Sequence, residues 1–212
     1  MYKPEIAQDQ IMSILDTCYN AAINGIPGSE NCNVLAQQYL NKYGAPELAA
    51  KKMFTAQVAK CTTSGFLTSL GGLITLPVAV PANVASVLYI QLRMIAATAV
   101  LGGYDPHDDE VQTLAYVCLA GTSVGDVCKS TGVQFANKIT LAMLKKIPGT
   151  TLTKINQKVG FRFITKFGSK GLINLGKMVP VVGGIVGGSL DLATTKIIAK
   201  QAYKYFICND IT

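Results

Sequence analysis

Thirty-two consecutive residues without a charged side chain, Cys61 to Leu92, constrain this chain more than any other feature: CTTSGFLTSLGGLITLPVAVPANVASVLYIQL. An uncharged run of this length raises a transmembrane helix. The rest of the chain must either cover it or let it meet a bilayer. Gly71, Gly72, Pro77, Pro81 and Asn83 interrupt the run. Proline lacks an amide hydrogen and collides with the preceding helical turn, so one continuous helix through both prolines is the poorer reading. Pro81 instead suits the first turn of a new helix. That helix is predicted over Ala82 to Leu101 and stops at Gly102-Gly103. Its length, roughly 30 Å, just crosses a hydrocarbon core. Arg93 argues against a span, because an arginine at mid-membrane costs about 2.5 to 3.5 kcal/mol even on lenient insertion scales. Asn83, Ser86 and Arg93 share one face at helical spacing, so burial between other helices, with Arg93 paired, is expected, and a true span is the alternative.

Half of the 212 residues are hydrophobic and 15% are charged, enough apolar surface for one domain with a real core and too much for a disordered chain. The expected fold is all-α: a multi-helix bundle around a glycine- and proline-rich apolar hairpin. Residues 1–50 read as an N-terminal helical hairpin or extension, and 51–212 as the main helical domain, the two expected to form one compact unit because no linker divides them. In the first part Ile6, Ile11, Ile14, Leu15, Tyr19, Ala22 and Ile23 follow the three-and-four rhythm of an amphipathic helix. Turn chemistry follows at Asn24 to Gly28. Ser29 is a candidate cap for a second helix whose apolar positions are Val34, Leu35, Leu40 and Tyr43, with Gly44 as its stop. A third helix begins with Pro46 in its first turn and Glu47 near its positive end.

Charge is distributed very unevenly. From Val127 to Leu190 there are ten Lys or Arg residues and no acid, while the remainder carries nine bases and twelve acids. A block of one sign favours phosphate-bearing surfaces, anionic lipid or nucleic acid, or an acidic protein face, against the simpler reading of a solvated basic surface. Val133 to Ile147 is predicted as an amphipathic helix closed by Pro148-Gly149, with Lys145 and Lys146 near its end. Beyond it Lys154, Lys158, Arg162, Lys166 and Lys170 recur every four residues, so a helix through them carries a positive ridge. Ile155, Val159, Phe163 and Phe167 recur beside it, with Phe161 and Ile164 nearby, as the apolar side. Gly160 and Gly168 weaken this helix. A basic ridge above an aromatic apolar face is the composition of a membrane-surface or acidic-partner helix; the same pattern also fits a helix that buries its phenylalanines and solvates its lysines.

Met178 to Leu190 is a second uncharged stretch, at thirteen residues too short to cross a bilayer. Gly183, Gly184, Gly187 and Gly188 form overlapping G-x-x-x-G pairs, a spacing that permits close helix approach. Asp191 follows directly, and a buried pair with Arg93 between the two central helices is expected.

Signals for enzymatic chemistry are weak. H-E-x-x-H is absent from the sequence; Gly121 to Gly125 spells G-x-S-x-G and Gly171 to Lys177 spells G-x-x-x-x-G-K, but Met178 stands where a P-loop has Ser or Thr, and neither stretch follows a strand pattern as these motifs require. The single histidine, His107, stands among acids ahead of an apolar run, where Asp105 and residues 108 to 110 read as helix N-terminus chemistry. A metal at His107 lacks a second histidine, and no metal or cofactor is expected. A cysteine nucleophile helped by His107 is the residual enzymatic reading. The six cysteines form no C-x-x-C pair and read as free intracellular thiols. The first residues carry no signal-peptide pattern, so cytoplasmic residence is expected, peripheral at the inner face of the cell membrane. Nucleic-acid binding, lacking any base-stacking motif, would be electrostatic only and is disfavoured.

The run GFLTSLGGLITLPVAVPANVASVLYIQLRMIAATAVLGGYD, the acidic helix start with VQTLAYVCLAG, and LTKINQKVGFRFITKFGSKGLINLGKMVPVVGGIVGG together resemble the EcsC family. The likeness covers roughly residues 50 to 207; the first fifty are not part of it. The family takes its name from a product encoded beside an ATP-binding-cassette transporter in Gram-positive bacteria. The resemblance implies an all-helical bacterial protein with a transporter or membrane connection. It brings no catalytic or ligand residues to positions in this chain.

The functional expectation is a non-enzymatic, membrane-associated helical protein. Its basic face, Lys145, Lys146, Lys154, Lys158, Arg162, Lys166 and Lys170, would meet anionic lipid or a membrane transporter or secretion complex. The alternative is a soluble bundle whose apolar centre holds a lipid-like ligand, or that binds a protein partner in an immunity or chaperone-like role.

Overall fold

The computed structural model describes residues 8–61, 82–130, 141–177 and 184–210, with the backbone course alone for 8, 82–83, 124, 128, 130, 141, 164–177 and 184–192. Helices α1 (Gln8–Asn24), α2 (Cys32–Tyr43) and α3 (Pro46–Cys61) are followed by α4 (Ala82–Leu101), α5 (Asp109–Leu119) and the short α6 (Val124–Ser130) and α7 (Leu141–Leu144). The long α8 (Gly149–Lys177) and α9 (Gly184–Ala202) complete the order, and α9 runs on into a π-helical turn, Tyr203–Ile207. Among the described residues there is no strand, and an isolated bridge pairs Ile26 with Ser29. The fold is an all-α bundle.

Local chemistry places these elements much as the sequence directs. Helix α1 buries Ile11, Ile14, Leu15, Cys18, Tyr19, Ala22 and Ile23 along one face, the three-and-four spacing of an amphipathic helix. Helix α2 stops at Gly44, whose φ of 78° is the left-handed conformation an α-carbon without a side chain accepts, and whose amide donates to Leu40 O. Pro46 opens α3, where its missing N–H has no intrahelical partner to lose.

Helix α4 is the axis. It contacts α1, α2, α3, α5, α9 and the π turn, while α8 lies mainly against α1 and α5. Its mean hydropathy and 18-residue apolar window, Val84–Leu101, satisfy the length and composition of a membrane span, yet 83% of that window is buried inside the protein. Burial therefore falls where the polar stripe implied. Tyr89, Leu92, Met94, Ile95, Ala96 and Ala97 are all at 1% exposure or less. Helices α1 and α2 contribute to the same core, through Leu15, Tyr19, Cys32 and Leu35.

Three expectations change. The cap of α2 is Asn31, whose side chain accepts from Val34 N at 2.9 Å, and Ser29 is used elsewhere. Asp108 occupies the N-cap of α5 without a capping hydrogen bond; its carboxylate lies 3.7 Å from Lys145 Nζ instead. Gly160 and Gly168 do not break α8, which passes through both; Gly160 is buried, so the missing side chain falls on the packed side. Gly71, Gly72, Pro77, Pro81 and Gly183 lie outside the described residues, as does most of the helix expected from Val133. Gly184, Gly187 and Gly188 fall in the first turns of α9.

The C-terminal π turn seats on the end of α4 at Gly102. A β-carbon there would stand 2.0 Å from Phe206 O, a backbone atom that cannot swing aside. Tyr104 stacks edge-on against Phe206, ring centroids 5.4 Å apart, and its hydroxyl donates to Asn209 Oδ1. Gly102→Ala is therefore expected to cost about 3 kcal/mol of stability, the upper range for overpacking. Gly103→Ala, at a φ of 82° with open space around it, is expected to cost only about 1 kcal/mol of left-handed strain. Urea unfolding midpoints compare the two directly, and equal losses would mean that the Phe206 carbonyl does not press on Gly102.

Candidate functional site

Two features stand out once the helices are placed: the outward face of α8 and a buried polar cluster around Arg93. Helix α8 starts where Pro148 O accepts from Thr151 N at 2.8 Å and Leu152 N at 3.2 Å, and Thr153 Oγ1 donates to Gly149 O at 3.0 Å. From this start Leu152, Ile155, Val159 and Phe163 are buried at 8%, 3%, 2% and 6% exposure. At 100° per residue they occupy an arc of about 80°. Lys154, Lys158 and Arg162 are exposed.

Phe161 departs from expectation. It is 61% exposed, the largest value among the exposed large hydrophobic residues. Nine residues from Leu152, it points about half a turn away from the buried row. Lys154, Lys158, Phe161 and Arg162 share an outward arc of about 100°. The sequence placed Phe161 with the apolar side, whereas helical geometry puts its ring at the outer end of the basic arc, nearest Lys154 in angle. Lys145 and Lys146 are exposed next to the start of α8, with Lys145 close to Asp108. The side chains of Lys166 and Lys170 lie outside the described residues.

The second feature is internal. Arg93 is 4% exposed on α4. Its Nη1 donates to Ser29 Oγ and to Glu30 O at 2.9 Å, and its Nη2 to Gln57 Oε1 at 3.4 Å. Tyr89, one turn earlier on α4, donates to the same Ser29 Oγ at 2.9 Å, and its ring lies under the guanidinium at 5.6 Å. A buried cation thus draws the α1–α2 turn and α3 onto α4 through neutral oxygens. Arg93 Nε and Gln57 Nε2 have no partner among the described atoms. The Asp191 side chain expected beside Arg93 lies outside the described residues. Another link joins the same two helices: Gln91 Nε2 donates to Thr195 Oγ1 at 2.9 Å, both residues buried. Sequence reasoning missed Gln91, although it stands two residues from Arg93 in an apolar helix where an isolated amide needs a partner.

The remaining chemistry-bearing side chains are structural in their surroundings. His107 Nδ1 lies 2.9 Å from Asp105 Oδ1, and its backbone N–H donates to the same oxygen; these two hydrogen bonds hold the Asp105 carboxyl below its ordinary range. Among the described residues no three His, Cys, Asp or Glu side chains converge as metal ligands would. Burial pushes the Cys18 thiol up to about 12 and the Cys32 thiol up to about 11, and Cys118 well above its usual value. Thiols so raised stay protonated at neutral pH and make poor nucleophiles. Near Arg93, Lys60 is lowered, first by burial and then by repulsion from the guanidinium. The α1–α2 turn borders an open depression of about 430 Å³ lined by Asn24, Ser29, Asn31 and Val34 among others.

The family model for the EcsC protein family matches residues 3–207. The chain belongs to the EcsC family. The match takes in α1 and α2, which the resemblance read from sequence left out. No curated protein and no solved structure matches this EcsC-family chain.

Ser29→Ala is expected to lower unfolding free energy by about 2 kcal/mol, because it removes an acceptor from a buried charge. Asn31→Ala is expected to cost about 1 kcal/mol, the loss of an ordinary cap. A double-mutant cycle of Ser29→Ala with Arg93→Met separates the two: additivity of the pair would show that Ser29 does not serve Arg93. In a second measurement, iodoacetamide is expected to alkylate Cys208, which is exposed, in the native protein. Cys18, Cys32, Cys61 and Cys118, all buried, are expected to react only after unfolding, as read by peptide mass mapping.

Proposed function

We propose that this EcsC-family protein is a peripheral, non-enzymatic helical protein that lays the outward face of α8 on the anionic inner surface of the cell membrane. The observation that carries the proposal is the exposure of Lys154, Lys158 and Arg162 on one arc of α8, with its apolar row turned into the bundle. These bases belong to the stretch from Val127 to Leu190 that carries ten bases and no acid. A surface carrying anionic headgroups attracts such an arc with about 1 kcal/mol per base, within a screening distance of roughly 10 Å. Lys145 and Lys146 extend the basic character at the start of the helix.

The placement of α4 supports surface association over spanning. Its apolar window is covered by the other helices, and withdrawing it into a bilayer would strip Arg93 of Ser29, Glu30 and Gln57, leaving a desolvated charge.

Co-flotation with liposomes of graded anionic content, at low and high salt, tests the proposal. Binding is expected to rise with anionic lipid and to fall steeply with salt. Neutralising Lys154, Lys158 and Arg162 to Gln is expected to weaken it by ~3 kcal/mol, on the order of 10²-fold. Binding that survives high salt and carbonate extraction would replace surface docking by insertion of the bundle. No flotation at any anionic content would refute the proposal and favour a protein partner.

A further inference from the structure

The ring of Phe161 gives the α8 surface a second component. We infer that Phe161 is an insertion residue that enters the acyl boundary of an anionic leaflet while the bases beside it on the same arc hold the headgroups; this rests on the membrane-surface reading above. Isolated exposed apolar side chains are ordinary on protein surfaces, so exposure alone means little. What sets Phe161 apart is an aromatic ring joined to an arc of three bases. Among the described residues the other large exposed hydrophobics are aliphatic: Val34, 40% exposed beside the neutral Asn33 and Gln37, Leu48, 43% exposed beside both Glu47 and Lys51, and Ile197, 54% exposed beside Lys196 and Lys200. Phe161, at 61%, is the most exposed of the four and shares its arc with Lys154, Lys158 and Arg162.

The chemistry of that arrangement has a direction. An aromatic ring stands at the crest of a convex helix face, and its charged neighbours are long flexible cations. Lysine and arginine extend their methylene stems along apolar material and keep the charge at the polar boundary. A leaflet is layered in the matching order, anionic headgroups outside and hydrocarbon beneath, and it deforms around a single ring without a preformed socket. An acidic protein would have to supply a concave apolar pocket with a rim of carboxylates. The convex, single-ring geometry therefore fits a bilayer. The binding it produces has two separable parts: a salt-sensitive attraction from the bases and a salt-insensitive one from the ring.

The chain contains no tryptophan, so Phe161→Trp introduces a sole indole reporter at the crest. With vesicles containing anionic phospholipid, its emission is expected to shift to the blue and to be quenched by lipids brominated on the acyl chain. Phe161→Ala is expected to weaken vesicle binding roughly 10- to 100-fold, the burial free energy of one phenylalanine side chain, with the slope of binding against salt unchanged. Val34→Ala serves as the control and is expected to bind as the parent does. Circular dichroism melting checks that each variant retains the parent's stability. Salt-sensitive binding with unshifted indole emission and an unaffected Phe161→Ala variant would overturn insertion and leave the surface reading standing. Absence of vesicle binding in the parent protein would overturn both.

Discussion

The structure turns on one desolvated guanidinium. Arg93 sits at 4% exposure in the most apolar of the described helices, and a buried cation is tolerable only where oxygens converge on it. Those oxygens come from Ser29, Glu30 and Gln57, so satisfying one side chain fixes three separate segments: the α1–α2 turn, α3 and α4. The apolar faces of α1, α2 and α3 then close over α4 and bury it. Hydrophobic burial supplies the driving force, but it is non-directional. The Arg93 cluster is what specifies how the N-terminal helices sit on the axis.

Closure of α4 has a consequence at the surface. With the most hydrophobic of the described helices covered on several sides, the exposed chemistry lies on the peripheral helices. Over its described side chains, helix α8, which lies mainly against α1 and α5, buries Leu152, Ile155, Val159 and Phe163 in a narrow row and exposes Lys154, Lys158, Phe161 and Arg162. Lys154, Lys158 and Arg162 thus lie on one exposed side of α8. A buried core anchored by polar contacts and an exposed cationic helix are different physical tasks, and this chain separates them between α4 and α8.

Much of the fold was legible in the sequence because it depends on local chemistry. The stop of α2 at Gly44, the start of α3 at Pro46, the extent of α4 from Ala82 to Leu101 and the burial face of α1 follow from backbone preference and apolar spacing. Family membership was legible as well, although the likeness was read from residue 50 and the match begins at residue 3. The candidate site was only half legible. The bases of α8 recur at four-residue spacing and could be placed on one ridge, but Phe161 was assigned to the apolar side. One aromatic near others in sequence does not reveal its angle until the helix's register against its neighbours is known.

By itself, then, the sequence determined an all-helical fold, the Gly44 stop of α2 and the Pro46 start of α3, and a basic segment without acids. Each of these is a property of residues within a turn or two of one another. Tertiary structure alone decided that Ser29 serves Arg93 while Asn31 caps α2, that Gln91 reaches Thr195 across 104 residues, and that Phe161 faces outward. The reason is the same for all three. A hydrogen-bond acceptor or an apolar ring has several partners that satisfy it locally, and only the packing of distant helices selects among them.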